Sequence, residues 1–285
     1  MLIEKQKSGV AGLPWAHFRL RPFPQIAIRV IQLANREDVP LHKLSGLISS
    51  EPAFSSEVLT IANSPLFAPR IPAVSILQAV ARLGTRNIQG LCLTVAVRAY
   101  LGESLGLPAM RALWRHNLAC AVIAERISNS ASTDKDIAFT AGVMHDIGRL
   151  ALAAIRPREY SILLSSHRGP ADSILDGERE LFGVDHCEAG LRLIADWRLP
   201  ASFEPIVAEH HAPRLPDQRW TMATQVSLAC RMADAAGFAA FAGCAAAPFP
   251  GLLEELPLRD RDLFPADAER LALEVSAKID SVESA

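Results

Sequence analysis

Cysteine, aromatic residues and strand-like alternation are all scarce in this chain of 285 residues, and each scarcity removes a class of protein. Cys92, Cys120, Cys187, Cys230 and Cys244 are odd in number, widely spaced and free of any Cys-x-x-Cys pair. They read as small buried hydrophobes in a reducing compartment, with no disulfide framework. The N-terminus lacks the basic, apolar and small-residue succession of a secretory signal. The longest apolar stretch, Gly237 to Pro248, is short, Ala-rich and closed by prolines, so no membrane span is expected and the protein reads as cytoplasmic.

A net charge of −2 argues against a protein built around nucleic acid. The charge is uneven: residues 1–106 carry 11 basic and 6 acidic side chains, the remainder 18 and 25. Arg29, Arg36, Arg70, Arg82, Arg86 and Arg98 are scattered and not interleaved with aromatics, unlike a base-stacking surface, and read as solvated helix faces.

What the sequence holds in quantity is helical punctuation. Pro24 opens Gln25 to Ala34, whose apolar residues recur at three and four; Pro40 opens Leu41 to Ile48, and Pro52 opens Ala53 to Ala62. Ser75 is a suitable N-cap for Ile76 to Leu83, which Gly84 stops, and a further helix is predicted over Thr85 to Leu101. Pro108 heads Ala109 to Ile127, and one helix is predicted from about Asp134 to Ile155. Helices then follow near Arg158 to His167, Pro170 to Leu181, Cys187 to Ala195, Ala201 to Glu209, Thr221 to Ala236 and Ala266 to Val282, with an irregular strap from Pro248 to Pro265. The expected fold is all-α and two-lobed: an N-terminal helical lobe over 1–106, a second helical lobe over 107–237, and an extension over 238–285.

The most informative feature is His145-Asp146, an imidazole and a carboxylate side by side in Ala141-Gly-Val-Met-His-Asp-Ile-Gly148. Such a pair can grip a metal ion, but it also has a plain packing role, with His145 bonded to nearby backbone and Asp146 paired with Arg149 one turn on. Other predicted helices carry His116, His186, His210, His211 and Asp234, as a site inside a helical bundle requires. Gly142 and Gly148 flank the pair and would let its helix approach a neighbour closely. His17, His42 and His167 fit no such pattern and read as surface or packing residues.

The order His116, His145-Asp146, Asp234 resembles the HD superfamily of metal-dependent phosphohydrolases. His186, His210 and His211 resemble the extra ligands by which the HD-GYP branch holds a second ion. More specifically, Leu13 to Gly237 resembles an HDOD domain, the HD-related output domain of bacterial signalling proteins. Pro22-Phe-Pro24, Glu51-Pro-Ala53, Leu59-Thr-Ile-Ala-Asn-Ser-Pro-Leu-Phe67 and Ala79-Val-Ala-Arg-Leu-Gly84 carry that resemblance in the front half. Leu113-Trp-Arg-His116, Val184-Asp-His186, Trp197-Arg-Leu-Pro200 and His210-His211 carry it in the back.

The resemblance implies a divalent ion, with Mn, Fe or Zn suiting mixed imidazole and carboxylate ligands. Arg149 stands where active HD enzymes often have Lys, and is a candidate phosphate contact with a planar fork. The Gly-Tyr-Pro stretch of the cyclic dinucleotide phosphodiesterases is missing after His211, and Glu51 stands where the HDOD pattern usually has Asp. HDOD domains imply no established reaction, so no residue is assigned a catalytic role. The expected function is a regulatory module acting through a protein or nucleotide ligand, with a metal-dependent phosphohydrolase as the alternative. Such modules often follow a receiver domain, and the residues before Leu13 leave no room for one. The expected partner is thus a separate receiver or sensor protein, unless the chain is an excised output portion.

Overall fold

A computed structural model describes residues 23–36, 38–128, 135–212 and 220–284. His17, and the parts of the resemblance at Leu13 and Pro22, lie outside them. The fold is all-α. Helices α1 (Gln25–Ala34), α2 (Leu41–Ser49) and α3 (Pro52–Ala62) begin at the prolines that announce them, because a residue with fixed φ and no N–H fits the first turn without loss. Each turns its apolar stripe toward α4 (Ile76–Leu101). Ser75 caps α4 by accepting from the Gln78 N–H, and Gly84, at φ 78° and ψ 164°, breaks the helix into two segments.

The second segment of α4 is the spine of the molecule. Every residue from Ile88 to Val97 is buried, so this stretch meets neighbours on all sides. One side receives α1 to α3, and the other receives α6 (Lys135–Met144) and α7 (Ile147–Ile155). Between them in sequence runs α5 (Pro108–Ser128), packed on α6 and on α12 (Met222–Ala235). The circuit is completed by α8 (Pro157–Ser166), α9 (Ile174–Phe182), α10 (His186–Asp196) and α11 (Glu204–Glu209).

Four sequence expectations need correction. The helix expected over Asp134 to Ile155 is broken at His145 and Asp146, which form a turn between α6 and α7. The segments expected to start at Pro170 and Ala201 begin as single 3-10 turns, Ala171–Ser173 and Ala201–Phe203, before α9 and α11. One minimal parallel strand pair exists, β1 (Arg168–Gly169) with β2 (Gly243–Cys244). The strap from Pro248 to Pro265 contains α13 (Phe249–Glu255) and α14 (Leu258–Arg261), since Pro248 and Pro257 sit just ahead of the first turn and start a helix there.

The last helix, α15 (Ala268–Glu283), starts at Asp267, whose carboxylate accepts from the Arg270 N–H. Its buried stripe, Leu271, Val275, Ile279 and Val282, packs on α5 and α12 of the same chain. One stretch, Ile137–Ile155, is apolar and long enough to span a membrane by composition, and 89% of it is buried within the fold.

The contact of α6 with α5 depends on Gly142, where a β-carbon would collide with the Ala121 backbone, lying 2.7 Å from its nitrogen and closer still to its Cα. Replacing Gly142 by Ala is therefore expected to cost about 1–3 kcal/mol, seen as a lower denaturant midpoint. Gly46, in α2, has open space at the same position, and Gly46→Ala should leave stability unchanged or raise it by up to about 1 kcal/mol.

Candidate metal centre

The break between α6 and α7 turns both members of the His-Asp pair inward. Asp146 takes the cap position of α7 at φ −103° and ψ 23°, and both side chains are buried. Two glycines bring α10 against this turn. A β-carbon on Gly148 would run into the His186 carbonyl and stand 2.7 Å from the Gly190 nitrogen, so α7 and α10 touch backbone to backbone. That contact sets His186, the first residue of α10, beside Asp146. Asp185 fixes the same end of α10 through a reciprocal capping box with Glu188.

Asp146 is the shared element of two groups of histidines. On one side its Oδ2 lies 3.8 Å from His116 Nε2 and 3.5 Å from His145 Nε2. On the other its Oδ1 lies 3.4 Å from His186 Nε2 and 3.2 Å from His210 Nε2. His211 Nε2 approaches His186 Nε2 at 2.8 Å, and His210 Nε2 approaches it at 3.3 Å. Asp234 Oδ1 stands 3.4 Å from His116 Nδ1, on the opposite edge of that ring from Asp146. The structure thus gathers His116, His145, Asp146, His186, His210, His211 and Asp234 from five separate segments into one interior centre.

Anchoring of the rings defines what they present. His116 Nδ1 lies 2.7 Å from the Phe238 carbonyl, His145 Nδ1 2.6 Å from the Gly142 carbonyl, and His210 Nδ1 3.0 Å from the Val207 carbonyl. A carbonyl only accepts, so Nδ1–H donates in all three and Nε2 is the atom offered to the centre. His145 Nε2 is buried without a hydrogen-bond partner. Imidazole nitrogens 3.3 Å apart, with a carboxylate oxygen against both rings, form a mixed donor set that suits a divalent cation. Residues and orientation therefore fit a divalent ion on either side of Asp146.

Charge is balanced partly from within. Arg149, itself buried, places Nε 3.0 Å from both Asp146 oxygens and Nη1 3.5 Å from Glu178 Oε1. Burial alone would raise the Asp146 carboxyl, but Arg149 and then His145 hold it well below the usual range. Asp234 meets the opposite fate: burial raises it to about 6, with His116 opposing. His211 is held well below the usual imidazole value by burial and by His210 and His186 beside it.

Sequence reasoning missed three further participants. Glu178 accepts from His186 Nδ1 at 2.6 Å, from the His186 N–H at 2.9 Å and from the Tyr160 hydroxyl at 2.6 Å. Burial opposes its charge, yet His186 and Arg149 lower it to about 2, while His186 rises to about 10 against its own burial and Arg149. A signal was present, since Glu178 lies on the apolar stripe of α9 between Ile174 and Phe182. Cys120 and Cys230, expected as plain core residues, lie in the centre with His116 and His145. Cys120 is four residues after His116 and Cys230 four before Asp234, each on its neighbour's helix face. Of the histidines left aside, His42 is exposed and His167 Nε2 meets Ser173 Oγ at 2.8 Å.

A cavity of about 250 Å³ opens over the centre and reaches His116, Asp146, Arg149, His210, His211 and Asp234. Phe241 and residues Ala245 to Ala247, after α12, form part of its wall, opposite Pro170 to Asp172.

The sequence profile of the HDOD domain matches residues 20–213. An HDOD domain protein from Geobacter sulfurreducens has the same fold, with a TM-score of 0.68 at 24% identity over 93% of this chain and 92% of that one. A protein from Shewanella amazonensis named as a candidate phosphohydrolase superposes with a TM-score of 0.63 at 22% identity, covering 93% of this chain and 94% of its own. A curated relative from Treponema pallidum is 23% identical over 222 residues, which is 74% of this chain and 42% of the relative's length.

Glu178 anchors one side of the centre, and its removal leaves His186 and Arg149 in a buried site with less counter-charge. Glu178→Gln is expected to lower unfolding free energy by about 3–5 kcal/mol in urea titration. The exposed Glu180→Gln on the same helix should change it by less than about 0.5 kcal/mol.

Proposed function

Because the chain belongs to the HDOD domain family, we propose that it is a cytoplasmic regulatory output module of bacterial signal transduction. It works by binding a partner protein or a small ligand, and its HD-type centre binds metal without turning over a phosphoester. The observation that carries this reading is the Asp146–Arg149 pair. The carboxylate best placed to bridge two ions is held at both oxygens by a buried guanidinium. An internal cation competes with a divalent ion for that charge, which favours a binding and sensing site over a hydrolytic one.

Within this proposal His116, His145 and Asp146 would hold one divalent ion, with Asp234 set across the His116 ring from them, and His186, His210 and His211 would be available to a second. When bound, such an ion supplies Lewis-acid polarisation of an oxygen ligand. The chain's own residues do the orienting: the Phe238, Gly142 and Val207 carbonyls and Glu178 fix the rings, and buried packing keeps bulk water from them. The input arrives from a receiver or sensor domain, and the route between centre and front helices is α4, which packs on α1 to α3 and also on α6 and α7.

A second reading has its own support. The cavity exposes Arg149 beside Asp146, His210 and His211, and Arg149 Nη1 is buried without a hydrogen bond, so a phosphate group has a donor to meet. On that reading the protein is a metal-dependent phosphohydrolase.

Hydrogen exchange with and without Mn²⁺, combined with a screen of phosphoesters and cyclic dinucleotides, separates the two. Under the regulatory reading, Mn²⁺ slows exchange in α7 and α10 and onward into α4, while turnover stays at the level of the protein-free blank. Turnover that Asp146→Ala abolishes would establish the hydrolase reading instead.

A further inference from the structure

The two cysteines beside the centre give it a chemistry that the His and Asp ligands alone do not have. Cys120 Sγ lies 3.4 Å from His116 Nε2 and 3.5 Å from Cys230 Sγ. With His145 Nε2, these four atoms all fall within 4.8 Å of one another, and all four residues are buried. A tetrahedral zinc ion, bonded at about 2.3 Å to sulfur and about 2.1 Å to nitrogen, separates adjacent ligand atoms by about 3.4 to 3.8 Å. The Cys120–Cys230 and Cys120–His116 separations lie close to two edges of that tetrahedron, and the remaining ones fall under 4.8 Å.

The directions agree with the distances. His116 and Cys120 are four residues apart on one face of α5 and supply two corners from one helix. Cys230 comes from α12, packed across α5, and His145 from the turn between α6 and α7. Both imidazoles are locked by Nδ1–H bonds to carbonyls, so both present Nε2, and the His145 Nε2 that faces the thiols has no hydrogen-bond partner. A buried ring nitrogen that is fixed in direction and left unsatisfied points to a ligand in that space.

We infer that His116, Cys120, His145 and Cys230 form a Cys2His2 site for a thiophilic divalent cation, zinc by preference. As the ion binds, each thiol releases its proton to solvent and each sulfur ligates as thiolate, while the imidazoles ligate through Nε2 without changing their Nδ1–H bonds. Thiolates select zinc over manganese or magnesium, so this site differs in metal from one built on Asp146 and Asp234. It uses neither carboxylate, but it draws on the same His116 and His145 Nε2 atoms as the ion proposed above, so at those two rings the sites are alternatives, while the test of this one does not depend on the regulatory reading.

Cobalt is the direct probe, because thiolate ligation produces an intense sulfur-to-cobalt charge-transfer band that imidazole and carboxylate do not. Chelator-stripped full-length protein titrated with Co²⁺ is expected to take up one equivalent with that band, and to lose it on addition of Zn²⁺. Cys120→Ser and Cys230→Ser should each lower the band by about half, and Cys92→Ala, which removes a thiol of α4 outside the four, should keep it. The wild-type spectrum decides the matter even if a serine variant fails to fold. Co²⁺ uptake without the band, no uptake at all, or an undiminished band in both serine variants overturns the proposal. Manganese-dependent turnover, or its absence, leaves this result unaffected.

Discussion

Burying the Asp146 carboxylate is the constraint from which the arrangement of the centre follows. A carboxylate cut off from water must be met by positive charge or by hydrogen bonds on nearly every side. Here the helix stops at His145 and Asp146 to aim both side chains inward, Arg149 returns from the next turn to neutralise the charge, and four imidazoles approach within 4 Å. Glycine at 142 and 148 makes this affordable in packing, because α5 and α10 then close on the turn at backbone distance. Around one charge, two helix contacts and one helix break become a single problem with a single solution.

Two carboxylates in one interior are thereby held in different states. Asp146 is ionised because a guanidinium sits against it, whereas Asp234, facing His116 Nδ1 and the Cys244 thiol, is raised by burial to about 6. Glu178 is a third case, ionised through His186 and Arg149 and committed to holding one ring. The centre therefore has one fixed anion available to ligands, one anion consumed in support, and one carboxyl that takes up its proton as pH falls through about 6.

Much of this was legible in the sequence where a residue's conformational bias acts locally. Pro24, Pro40, Pro52, Pro108 and Gly84 mark helix ends that the structure reproduces within a residue or two, because fixed φ and left-handed φ are properties of those residues wherever they stand. The break at His145 was not legible: the apolar pattern runs through it without interruption, and the turn exists only because Asp146 has partners on other helices. The histidines and aspartates were readable as a group by residue type, and the structure sets the histidines in two groups on either side of Asp146, with Asp234 beyond the far edge of the His116 ring. Cys120 and Cys230 are buried and free as expected, and only their place beside His116 and His145 escaped the sequence, because a thiol in an apolar run is indistinguishable from a small hydrophobe until its neighbours are known. Glu178 was a quieter omission, since an acid inside an apolar stripe already signals a buried partner.

The two-residue pairing of β1 with β2 has a consequence for how such a centre diversifies. It registers the segment after α12, which supplies Phe241 and Ala245 to Ala247 to the cavity wall and the Phe238 carbonyl that sets the His116 ring. All of these residues lie beyond the stretch, 20–213, over which the family profile matches. Apart from Cys230 and Asp234, the inner centre and its doorway are thus written in different parts of the chain. Substitution in the doorway alone would change what is admitted, and how His116 is held, while leaving every inward-facing ring and acid of the matched stretch as it was.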